Sequence, residues 1–165
     1  MKYFWILGFS LLTSNLLFAQ ISKLDAKGGN WDAGKLLVTI TEAGLDYTGT
    51  VSSDADHTIL EIDAKEDNDP YTLTISRQDN NWHPMLTLWA RRTGDGSLGN
   101  GGTIMGGQSY IQLAPNAQYF FSGLVSRGGG SRVKDIPIQY EIRGLSVLIP
   151  VSSYSTTIIY TVTSP

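Results

Sequence analysis

The sequence contains no cysteine, only two histidines (His57 and His83), and few charges, 16% of residues against about 25% in an average soluble protein. Without cysteine there is no disulfide framework, no thiol nucleophile and no thiolate metal site. Two histidines also exclude a zinc site built on several imidazoles. A serine hydrolase needs a histidine base beside its serine, and the G-x-S-x-G turn that presents such a serine is missing; the nearest approach, Asp95-Gly96-Ser97-Leu98-Gly99, begins with aspartate. Sustained helical stripes are missing too. Beyond Ala19 no apolar run approaches the ~20 residues needed to span a bilayer.

What is present is glycine (18 residues), abundant serine and threonine, and a 41% apolar fraction, enough to bury a core and to exclude wholesale disorder. A chain of 165 residues with this composition is one turn-rich β domain's worth. Met1-Lys2 followed by the apolar stretch Phe4 to Phe18 and the small Ala19 has the form of a secretory signal peptide cleaved after Ala19. The expected organisation is a signal at 1–19, an N-terminal extension at 20–34 and a folded domain at 35–165, secreted to the periplasm, the cell surface or the medium, with no membrane span once the signal is removed.

From Lys35 onward apolar residues recur every second position between turn signals. The clearest runs are Leu36/Val38/Ile40, Leu60/Ile62, Tyr71/Leu73/Ile75, Leu86/Leu88/Ala90, Tyr110 to Leu113, Tyr119 to Val125, Ile136/Ile138/Tyr140/Ile142 and Ile158/Tyr160/Val162. Asp67-Asn68-Asp69-Pro70, Arg77 to Trp82, Gly94 to Gly107, Ala114-Pro115-Asn116, Gly128 to Ser131 and Pro150 to Ser153 read as the intervening turns. About eight short alternating strands and no helices predict an all-β fold, a single antiparallel β-sandwich of immunoglobulin-like or pilin-like form, with Leu73, Ile75, Leu86, Leu88, Ile138, Tyr140, Ile158 and Tyr160 in the core. Two details refine this. Tyr154, after the Pro150 corner, is placed to bond its hydroxyl back to that corner or to join the core. Pro137 cannot donate to a ladder, which predicts an edge, or the first residues of a strand, around it.

Residues 20 to 70 hold four lysines against eleven acids, whereas residues 71 to 165 hold seven bases against four acids. The net acidity argues against a nucleic-acid partner. Folding either mixes the two halves or leaves an acidic face to meet a basic face on the next copy.

Candidate chemistry is sparse. Glu61, Asp63, Glu66 and Glu141 lie at polar strand positions or turns, the pattern of a solvated face rather than of a paired acid and base. Gly94 to Gly107 lacks the Lys-Ser/Thr ending of a phosphate loop and reads as a long flexible connection. The acidic stretch Asp63 to Pro70 reads as a type I turn with Pro70 launching the next strand, the alternative being a calcium loop. No catalytic residue, metal ligand or cofactor site is predicted. Aromatic residues are the remaining lead. If Leu86, Leu88 and Ala90 face inward, Thr87, Trp89 and Arg91 share the outer face, where a tryptophan can stack a sugar ring or anchor a protein unless a loop covers it. Trp82 and His83 in the preceding turn would extend that patch, and Trp31 would cap the sandwich.

The segments Ala43-Gly44-Leu45-Asp46-Tyr47, Trp82 to Gly96, Tyr119-Phe120-Phe121-Ser122-Gly123, Ile136 to Tyr140, Gly144-Leu145-Ser146-Val147 and Tyr154 to Thr163 resemble those of small secreted bacterial β-sandwich proteins, the spore-coat-U-like and pilin-subunit-like families. The resemblance implies a surface or extracellular structural role and carries over no catalytic residue. Two features depart from the pilin pattern: the cysteine pair is absent, and Gln20 to Gly34 holds only Ile21 and Leu24 where a donor strand needs several alternating apolar side chains. The expectation is a non-catalytic structural or self-associating surface protein, its partners further copies or other surface proteins; the alternative is a carbohydrate-binding module that takes glycans on Trp89, with Thr87, Arg91 and Trp82 beside it.

Overall fold

The computed structural model describes residues 21–36, 50–64, 69–125 and 132–164. Ten strands follow one another there: β1 (Ile21–Lys27), β2 (Val51–Ser52), β3 (Thr58–Ala64), β4 (Pro70–Asn81), β5 (Thr87–Arg92), β6 (Thr103–Gly106), β7 (Ile111–Gln112), β8 (Gln118–Leu124), β9 (Arg132–Arg143) and β10 (Ser155–Thr163). They pair into two antiparallel sheets. Sheet A runs β1-β3-β9-β5-β7, with β2 also on β9, and sheet B runs β10-β4-β8-β6. The chain is an all-β sandwich.

Period-two spacing explains the packing. Along β3, buried Thr58, Leu60 and Ile62 alternate with Ile59, Glu61 and Asp63, and along β5 Leu88, Ala90 and Arg92 point inward. Of the eight anticipated core residues, Leu73, Ile75, Leu86, Leu88, Ile138 and Tyr140 are buried, while Ile158 and Tyr160 are partly buried and packed against the core. Each such aliphatic side chain contributes about 1.5–3 kcal/mol on leaving water. Val38 and Ile40 of the first expected strand lie outside the described residues, as do the signal segment 1–19 and residues 65–68 of the acidic stretch. Pro70 does begin β4.

The structure corrects several expectations. Residues 21–27 are not an extension ahead of the sandwich but its edge strand β1, paired with β3. The register shifts between Ile21 and Lys23, so Ile21 and Leu24, three apart, both pack against the core. Pro137 is not at an edge: it sits in β9, which has β3 and β2 on one side and β5 on the other. Its carbonyl accepts from Thr93 N–H at 3.0 Å, so its nitrogen faces the same neighbour, just past the end of β5 at Arg92, where a lost donor disturbs no ladder. Asp135, with φ 56°, forms the bulge that lets β9 continue back to Arg132. Residues 77–81 extend β4 rather than turning, and the glycine-rich stretch contains β6 and a bridge between Ser97 and Lys134. The two charge halves meet on sheet A, where Arg132 reaches Asp63 at 3.0 Å and Glu61 at 3.7 Å.

Candidate functional site

Two surfaces stand out, one on each sheet. On the outer face of sheet A the β5–β9 register sets Thr87 opposite Arg143, Trp89 opposite Glu141 and Arg91 opposite Gln139. Tyr110, just before β7, joins them. The Arg143 guanidinium lies 4.0 Å from the Trp89 ring centre and 5.6 Å from that of Tyr110, and Arg91 lies 4.6 Å from Tyr110. Cations and rings thus alternate across the face.

Hydrogen bonds fix this ladder. Trp89 Nε1–H donates to Thr87 Oγ1 at 3.0 Å. Arg91 Nε and Nη2 donate to Gln139 Oε1 at 3.0 and 2.9 Å, the Tyr110 hydroxyl donates to the same oxygen at 3.0 Å, and Gln139 Nε2 donates to Ser53 O at 3.0 Å. Glu141 accepts from Arg143 Nε at 2.5 Å and from Ser52 Oγ at 3.2 Å. Thr87, Trp89 and Arg91 therefore share the outer face as expected, but one face of the indole lies under a guanidinium and its N–H is taken. Such a ring is part of a stiffened surface rather than a bare stacking platform. Trp82 is not beside it. That indole packs against the core, donates to Leu86 O at 2.8 Å and has Arg77 over its ring at 5.4 Å. The sequence reading missed Tyr110, Gln139 and Arg143 because their proximity depends on strand pairing, which residue spacing does not disclose.

The second surface is β10 with the outer face of sheet B. Ser155, Thr157, Ile159, Thr161 and Thr163 are exposed, opposite Asn81, Gln78, Ser76, Thr74 and Thr72 of β4. Ser122, Tyr119 and Leu124 of β8 and Thr103 and Met105 of β6 continue this face, and none of these residues carries a charge. β10 is the outermost strand; nothing among the described residues pairs with its free edge. The edges formed by β1, β7 and β6 are guarded. β1 carries Lys23, Asp25 and Lys27, β7 has two residues, and β6 has four and ends in Gly106 with φ 86°.

At the corner before β10, the Tyr154 hydroxyl donates to Pro150 O at 2.7 Å, so Tyr154 takes the corner role. His57 Nε2 lies 3.1 Å from Gly29 O, and His83 Nδ1 accepts from Met85 N–H at 3.3 Å. Among the described residues no three His, Asp or Glu side chains come together as a metal site, and no helix is long and apolar enough to cross a membrane. Compared with protein-family models, with curated proteins and with solved structures, the chain matches none.

Proposed function

We propose that this is a secreted, non-catalytic structural protein of the bacterial surface whose copies join through the free edge of β10. The observation that carries this reading is an edge strand of nine residues, STTIIYTVT, with neither charge nor proline along it. A row of unpaired backbone donors and acceptors on such a strand is a template for a second strand, and sheet B would then continue across the contact. The signal-like start and the resemblance to coat and pilin subunits support the same role. Binding of glycans on Trp89 is less favoured, because Arg143 and Thr87 already occupy that ring and its N–H.

Sedimentation of the mature protein over a hundredfold concentration range tests the reading. Wild type is expected to associate with rising concentration. Ile159→Lys, which sets a charge in the middle of β10, should hold the protein monomeric, while Trp89→Ala should leave association intact. A strict monomer at every concentration would refute the proposal.

A further inference from the structure

At the end of the sandwich where β1 leaves sheet A and β10 begins, a groove of about 880 Å³ opens between the sheets. Its inner wall is aromatic. Trp31 and Tyr140 stack with ring centres 6.3 Å apart and planes at 27°, and His57 meets Tyr140 edge-on at 5.8 Å. Hydroxyls line the same wall: Tyr160 and Tyr140 are 2.5 Å apart, and Tyr140 donates to Thr58 Oγ1 at 2.8 Å. Asp32 is the one charged group among the described lining residues. The indole Nε1–H of Trp31 is enclosed and has no acceptor among the described residues. A buried donor in that state marks a missing partner.

We propose that this groove binds a neutral pyranose-containing glycan. Such a ligand supplies what the wall lacks, an oxygen to accept from Trp31, and it matches what the wall offers. Its C–H face suits the Trp31 ring, and its hydroxyls suit Thr58, Ser152 and Ser153, which line the same groove. A volume of about 880 Å³ holds a short oligosaccharide. Acidic sugars are disfavoured, because no lysine or arginine is present among the described lining residues to receive them. This site lies on the inner side of sheet A, opposite to Trp89, and is independent of pairing through β10.

The probes are two- to six-residue oligomers of glucose, mannose and galactose, titrated against the mature protein with the heat of binding as the readout. The same neutral polymers in insoluble form, and galacturonate oligomers, complete the panel. At least one neutral series is expected to bind; retention on the polymer alone would identify a surface polysaccharide as the source, and binding of the free oligomer a soluble one. Trp31→Phe keeps the ring and removes the donor, and should weaken binding about tenfold, the loss of one hydrogen bond, with unchanged circular dichroism. Thr58→Val should weaken it similarly, Trp89→Ala should not, and sedimentation of Trp31→Phe should match wild type. The proposal is overturned if no neutral saccharide binds in either form, if Trp31→Phe and Thr58→Val both bind as wild type does, or if galacturonate binds equally well.

Discussion

Tyr140 of β9 and Tyr160 of β10 bring their hydroxyls to 2.5 Å across the interior, a direct polar link between the two sheets. Burial holds both phenols above the ordinary value of 10.0, Tyr160 well above it, and burial does the same to Tyr71. The folded state therefore keeps protons that the unfolded chain releases above about pH 10, so stability is full below that pH and falls as pH rises further. Urea midpoints measured from about pH 8 to pH 11.5 should be level at first and then decline. Tyr160→Phe should make the decline shallower, leaving the part due to Tyr71 and Tyr140.

Arg92 is 2% exposed. Its guanidinium donates to Gly106 O at 2.9 and 3.1 Å and to Gly94 O at 2.8 Å, and it also contacts the more exposed Asp95. Arg92→Met strips two carbonyls of their donors and should lower unfolding free energy by roughly 2–4 kcal/mol. Asp95→Asn should cost less than about 1 kcal/mol, since solvent screens that carboxylate and asparagine still accepts. Equilibrium denaturation of both variants checks the order.

A methyl group on Gly123 would overlap the carbonyl oxygen of Thr103 and crowd the Tyr71 hydroxyl. Gly123→Ala should therefore push β6 away from β8, at a cost of about 1–3 kcal/mol. Hydrogen exchange should show faster amides in β6 while β4 stays protected.

The cation–aromatic ladder predicts a stability effect at Trp89 in the absence of any ligand. Trp89→Ala should destabilise the fold. A double-mutant cycle with Arg143→Gln should return a coupling of about 0.5–1 kcal/mol, the range of partly exposed cation–π pairs. Additive effects would show that the two side chains are merely neighbours.

Strands with unbroken alternation were legible from sequence. Tyr71, Leu73 and Ile75 in β4 and Leu86, Leu88 and Ala90 around β5 mark their faces without help from context. Strands with a bulge were not: the shift after Ile21 makes β1 look like an irregular extension, and Asp135 hides Val133 from the pattern of β9. Extending the β5 alternation one step would have put Arg92 inside, but a charged residue argues against that until the carbonyls of the glycine-rich stretch supply its partners. The same gap in information separates Trp82 from Trp89. Seven residues apart in the chain, they lie on opposite sides of sheet A, and only the register across β5 and β9 brings Arg143 and Gln139 to the latter.

The central place of β9 bears on how quickly the fold can form. β2 and β3 lie on one flank and β5 on the other, so sheet A has no middle until residues 132–143 arrive. The contacts that arrival must close span up to about ninety residues, from Val51 to Ile142, and closing such long loops before any reward slows the search. During that interval β3 and β5 present apolar faces and open edges together, which makes refolding slow and sensitive to protein concentration.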